Sequence, residues 1–285
     1  MKTCRMTCVL VLALAVTAAV LSPGVSEAAE PQEPLFDRFS QRLEGSWVDL
    51  TTEIRLDSEA LGRGTVLSFE DDLDLDASKI IPTVAFEWQI SRRHKVGVRW
   101  QAINRSSSSQ ALTEIQWGDE VIPIDADISL GFDVEQYFLE WAYYPWVKEQ
   151  WAAGFGLGIR VMDISASLRW EEENIGDGGE TDATGTGPLP YLYFEYRRMF
   201  GEHWRFRTGL GWLYVEIDDI DGGQWVVSAN IEYLLGRHWG FGGGFNLSAI
   251  DVDWTGVETE DSVSVLTAAL DLDINDFSVF VRFRF

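Results

Sequence analysis

The last nine residues alternate without a break, with Phe277, Val279, Val281, Phe283 and Phe285 on one side and Ser278, Phe280, Arg282 and Arg284 on the other. Successive side chains of an extended chain point to opposite faces, so this segment carries an apolar stripe backed by a face that holds two arginines. An ordinary half-buried strand shares that period. The reach of the stripe to Phe285, with arginines opposite, suits a wall that has lipid on one side and polar matter on the other.

The opposite end reads as a secretory leader. Lys2 and Arg5 precede an apolar run from Val9 to Leu21, Ser22-Pro23-Gly24 breaks it, and Ser26-Glu27-Ala28 suits cleavage after Ala28. No later stretch approaches the roughly 20 apolar residues of a spanning helix, so membrane residence must come from strands. Cys4 and Cys8 both fall in the leader. The remaining chain therefore has no disulfide and no cysteine metal site. Net charge is −24, with 46 acidic against 22 basic residues, which argues electrostatically against nucleic acid as a partner.

Three segments follow from the pattern: a signal peptide at 1–28, a periplasmic leader at 29–46 and one β domain at 47–285. Leu35, Phe36, Phe39 and Leu43 have near-helical spacing, which leaves a short amphipathic helix or an unstructured leader as alternatives. Period-two segments then recur at 47–57, 78–91, 95–106, 126–144, 151–169, 188–199, 204–216, 224–235, 239–251 and 262–285. Short connections alternate with long acidic ones. This predicts an all-β fold, an antiparallel up-and-down transmembrane β-barrel of about ten strands, with eight or twelve as the neighbouring solutions. The last strand requires a bulge near Asn275-Asp276, because its apolar stripe runs through Leu270, Leu272 and Ile274 and then shifts to Phe277.

Aromatic spacing supports a bilayer. Trp204 and Trp212 lie eight residues apart on one face, as do Trp225 and Tyr233 on the next strand, and Trp239 begins another. Eight tilted residues rise about 20 Å, close to the roughly 25 Å apolar band of membrane barrels, so these five are the aromatic girdle candidates.

With these features in hand, the terminal strand closely resembles that of Gram-negative outer-membrane β-barrels, whose final aromatic is read by the barrel-assembly machinery. The domain resembles the small-barrel superfamily that includes the OmpA-like and OmpW-like domains. The resemblance implies an outer-membrane monomer in contact with lipids and lipopolysaccharide, with termini in the periplasm and long loops outside. It transfers no functional residue.

Chemistry is sparse. The three histidines all sit in short turns, Arg92 to His94, Phe200 to His203 and Gly236 to His238, away from the expected extracellular end, which argues against an enzyme. Acids crowd the long connections. Asp71, Asp72, Asp74 and Asp76 are weak calcium or magnesium candidates, because Ala77 replaces the calcium-loop glycine and the closing glutamate is missing. No other cofactor is indicated. Inward candidates are Arg99, Glu135, Arg160, Glu195, Arg205, Arg207, Glu232, Arg282 and Arg284, together with Glu87, Arg197, Asp271 and Asp273. Both signs occur, so the lumen either pairs up and closes or lines a narrow wet channel. Three functions remain open: a narrow channel for small polar or cationic solutes, a closed structural or surface-interaction barrel whose acidic loops bind divalent cations, lipopolysaccharide or a partner, and a lipid- or peptide-acting enzyme.

Overall fold

In the computed structural model, residues 35–59, 61–117, 120–171, 178–217, 220–259 and 266–285 are described. The expected signal peptide lies outside them. Among the described residues thirteen strands follow in order: β1 (Phe39–Ser58), β2 (Leu67–Ser68), β3 (Ser78–Ser91), β4 (His94–Gln110), β5 (Ile115–Trp117), β6 (Glu120–Ile122), β7 (Asp127–Val147), β8 (Trp151–Glu171), β9 (Gly178–Phe200), β10 (Trp204–Ile217), β11 (Ile220–Leu235), β12 (Trp239–Thr259) and β13 (Leu266–Arg284). Ten long strands, all but β2, β5 and β6, form an antiparallel wall in chain order. β13 pairs with β1 from Ser40↔Arg284 to Ser58↔Leu266 and closes the ring. Closure leaves neither strand as an exposed edge, the condition for strands to cross lipid.

Tight turns join the strands at one end. In two of them Gly201 and Gly236 adopt φ of +64° and +61°, left-handed geometry that glycine enters without steric cost. This accounts for the repeated Gly-x-His-Trp pattern of those turns.

The expected bulge at Asn275-Asp276 is absent, since the pairing of β13 with β1 runs straight through it. The polarity of the two faces exchanges instead. Toward the turns the outer face is apolar, with Leu43, Trp47 and Phe277 56%, 61% and 63% exposed. Toward the loops the outer face of β1 carries Asp49, Thr51 and Glu53, while Val48, Leu50, Ile54 and Leu56 are buried inside. β7 repeats the exchange, with Ile128, Leu130, Phe132 and Val134 inside and Tyr137, Leu139 and Trp141 facing out nearer the turns. The wall is thus a lipid-facing barrel that continues as a water-facing one, each with its apolar residues where its surroundings require them.

That exchange corrects several expectations. Asp271 and Asp273 face outward, whereas Leu270, Leu272 and Ile274 face in. Glu135 also lies on the outer face, where it accepts a hydrogen bond from Tyr137 Oη at 2.7 Å. Much of the sequence expected as long loop, around 170–187 and 252–261, is strand instead. Acids on its outer face and apolar residues within produce this reading error. Residues 39–46 belong to β1, so no helix occupies that part of the expected leader.

Candidate functional site

The barrel interior holds the molecule's chemistry, in three tiers. At the turn end, alternation on β1, β3, β9, β10, β11 and β13 directs charged side chains into the lumen. Glu87 of β3 stands at the centre. Its carboxylate meets Arg282 Nη1 at 3.1 Å, Arg197 Nη2 at 3.4 Å and Arg207 Nη1. Glu195 accepts from Lys95 Nζ at 2.6 Å, Tyr144 Oη at 2.5 Å and Arg197 Nε. Glu232 binds Arg205 Nη2 at 2.9 Å and Arg282 Nε at 3.2 Å. Glu87 thus links β3 to β9 and β10 across the lumen, whereas Glu195 and Glu232 tie together strands closer in the ring.

The segment before β1 packs onto that charged network. Leu35 and Phe36 are buried, and Phe36 packs edge-on to Tyr144 at 5.0 Å. Asp37 accepts from Arg284 Nε at 2.6 Å and Arg205 Nη2 at 2.8 Å. Burial opposes ionisation of Asp37, but Arg205, with Arg282 and Arg284 beyond it, outweighs burial and holds the carboxyl below the usual range.

The middle tier is a polar chamber lined by Arg42, Glu44, Arg99, Glu140, Arg160 and Asp276, among others. Arg99 and Arg160 lie over the Phe138 ring at 3.9 and 4.7 Å, within cation–π range. Of the inward candidates, Arg99, Arg160, Glu195, Arg205, Arg207, Glu232, Arg282 and Arg284 all face the interior. Their spread along the axis separates them into the chamber and the turn-end network.

The loop-end tier is apolar. Residues between β1 and β3 fold back into the bore, burying Leu67, Phe69, Leu73 and Leu75, and Trp117 and Ile122 of the β5–β6 hairpin join them. Phe69 contacts Phe132 edge-on at 5.1 Å and lies 6.4 Å from Trp117. Glu70 reaches inward, accepting from Thr52 N at 2.7 Å and from Arg105. The neighbouring acids do otherwise. Asp71, Asp72, Asp74 and Asp76 are exposed, and Asp72 accepts from Ser68 N at 2.8 Å. Among the described residues, no group of three or more His, Cys, Asp or Glu side chains is placed to hold a metal ion. The inward leucines at 73 and 75 explain the alternation of these acids better than a coordination loop does.

All five girdle candidates face outward. Trp204 pairs across to Tyr233 near the turns and Trp212 to Trp225 toward the loops. The histidines serve the turn-end aromatic ring: His94 stacks on Trp141 at 5.7 Å, His203 lies 5.6 Å from Tyr233 and His238 stacks on Phe283 at 5.8 Å.

A closed antiparallel ring with an outward apolar belt and charged groups inside is an integral membrane β-barrel of the outer-membrane type. Among solved structures, the chain is similar to the outer membrane protease OmpT from Escherichia coli, with a TM-score of 0.60 and 10% identity over 90% of this chain and 99% of that one. It also matches the outer membrane protein OprG from Pseudomonas aeruginosa, with a TM-score of 0.37 and 12% identity over 88% and 98% of the two chains. No protein-family model and no curated protein sequence matches it. The likeness to OmpT establishes the fold.

Proposed function

We propose that the protein is a closed outer-membrane barrel that anchors a rigid, apolar-cored head at the cell surface and does not conduct solutes. The observation that carries this reading is the Glu87-centred network, which ties β3 to β9, β10 and β13 across the bore. The loop end lies outside the cell and the termini in the periplasm. The stripe from Phe277 to Phe285 serves the assembly machinery. Purified protein in planar bilayers is expected to insert without discrete conductance steps. Cation-selective steps from a heat-modifiable, folded preparation would show instead that the bore conducts.

The acidic exterior of the head supports contact with lipopolysaccharide through divalent cations. Asp271 stands opposite Asp251 on β12 and Glu53 on β1, all outward. Like charges directly opposed in a sheet repel, and cations reduce that repulsion. Asp271→Asn is expected to stabilise the barrel by about 0.5 kcal/mol, with a smaller gain in melting temperature on adding Mg²⁺ than the parent shows. An enzyme reading lacks a histidine at the loop end, since all three act in the turn-end ring.

A further inference from the structure

β10 leaves its neighbour early. It pairs with β9 from Trp204↔Phe200 to Trp212↔Leu192, and among the described residues Leu213 to Ile217 pair only with β11. The sequence of β9 supplies the reason. Met199 donates its amide to Gln150 O, beside β8, and the register of β9 runs without a shift on both sides. Odd-numbered residues of β9 therefore direct their amides toward β8 and even-numbered ones toward β10. Pro188 and Pro190 are even-numbered and have no N–H, so β10 finds no donor there. Farther along, β9 meets β12 directly, at Thr184↔Glu258 and Ala183↔Thr259. The result is an unzipped seam between β9 and the β10–β11 hairpin, crossed by Gln224 Nε2, which donates to Leu189 O at 3.1 Å.

An apolar cavity of about 60 Å³ lies behind this seam. Met162, Ile164 and Ala166 of β8, Leu189 of β9, and Ile250 and Trp254 of β12 supply much of its lining, and no charged residue contributes. Trp254 lies against Gly185, where a Cβ would fall 2.2 Å from Cζ3 of the indole. Only glycine at 185 admits the ring in that position. The seam begins just beyond Leu192 and Trp212, which are outward, exposed and at the loop-side limit of the apolar belt.

We propose that this cavity takes the tail end of an amphiphile's aliphatic chain, which enters sideways through the β9–β10 seam from the membrane surface. An alkyl chain gains dispersion contacts against an apolar lining of this kind. The lining offers no counter-charge, so the polar group of the ligand stays at the seam mouth. Thr184 and Thr186 of β9 and Asp221 of β11 are exposed on that part of the wall. The site rests on the membrane level assigned to the belt, and it stands whether or not the bore conducts.

The test uses the folded full-length barrel in phosphatidylcholine vesicles with a diazirine-bearing dodecanoate, and maps crosslinks by peptide mass spectrometry. Expected crosslinks fall within 162–166, 183–189 and 250–254, in addition to those on the outward belt. Filling the cavity with Ala166→Trp removes the interior crosslinks and leaves the belt ones. Pro188→Val with Pro190→Val restores two donors facing β10 and slows interior labelling relative to belt labelling. Crosslinks confined to the belt would overturn the site while upholding the membrane level, and belt residues left unlabelled would refute that level itself. Interior labelling unaffected by the double valine variant would overturn the sideways route.

Discussion

Glu87→Gln is expected to destabilise the barrel by about 3 to 5 kcal/mol, the range for removing one partner of a buried ion pair. Arg197, Arg207 and Arg282 converge on this carboxylate, and its loss leaves their repulsion uncompensated in the bore. Glutamine keeps the shape and some hydrogen bonding, so the charge is what changes. The measurement is the temperature at which the compact electrophoretic form converts to the extended one. An unchanged transition would mean that water already screens the three guanidinium groups. Leu67→Ala, buried far along the axis, lacks this electrostatic component, so only Glu87→Gln should become more deleterious as salt is lowered.

The second large effect belongs to Phe69. Its side chain is fully buried between Phe132 and Trp117, in a segment that returns into the bore between β1 and β3. Phe69→Ala is expected to cost about 3 to 5 kcal/mol through lost burial and the cavity left behind. Because the segment is tied down locally, that cost should appear as release of residues 61–77. Limited proteolysis from the loop side then cuts this segment in the variant while the turn-end half stays protected. Uniform loss of protection throughout the wall would show that the two halves unfold as one.

Most of the architecture was legible because strands repeat every two residues and the turns carry glycine and histidine at fixed places. The terminal stripe and aromatic spacing identified the belt. Most of the errors share one cause: alternation reveals two faces but does not say which is outer. Leu270, Leu272 and Ile274 resembled lipid-facing residues, and a bulge was needed to reconcile them with Phe277. Water beyond the belt makes the same sequence turn its apolar face inward with no bulge. Glu135 failed for the same reason. Asp37 escaped notice because its partners, Arg205 and Arg284, lie far away in sequence and nothing local marks it. The seam depended on amide direction at Pro188 and Pro190, which only a known register reveals.

The strand lengths have a further consequence for reach. β8 contains 21 residues, which at about 3.3 Å each and a tilt near 40° climb roughly 50 Å, twice the thickness of the apolar belt. About half of the wall therefore stands clear of the hydrocarbon. With the loop end outside the cell, as proposed above, that height would carry the rim among or above the sugars of the neighbouring lipids.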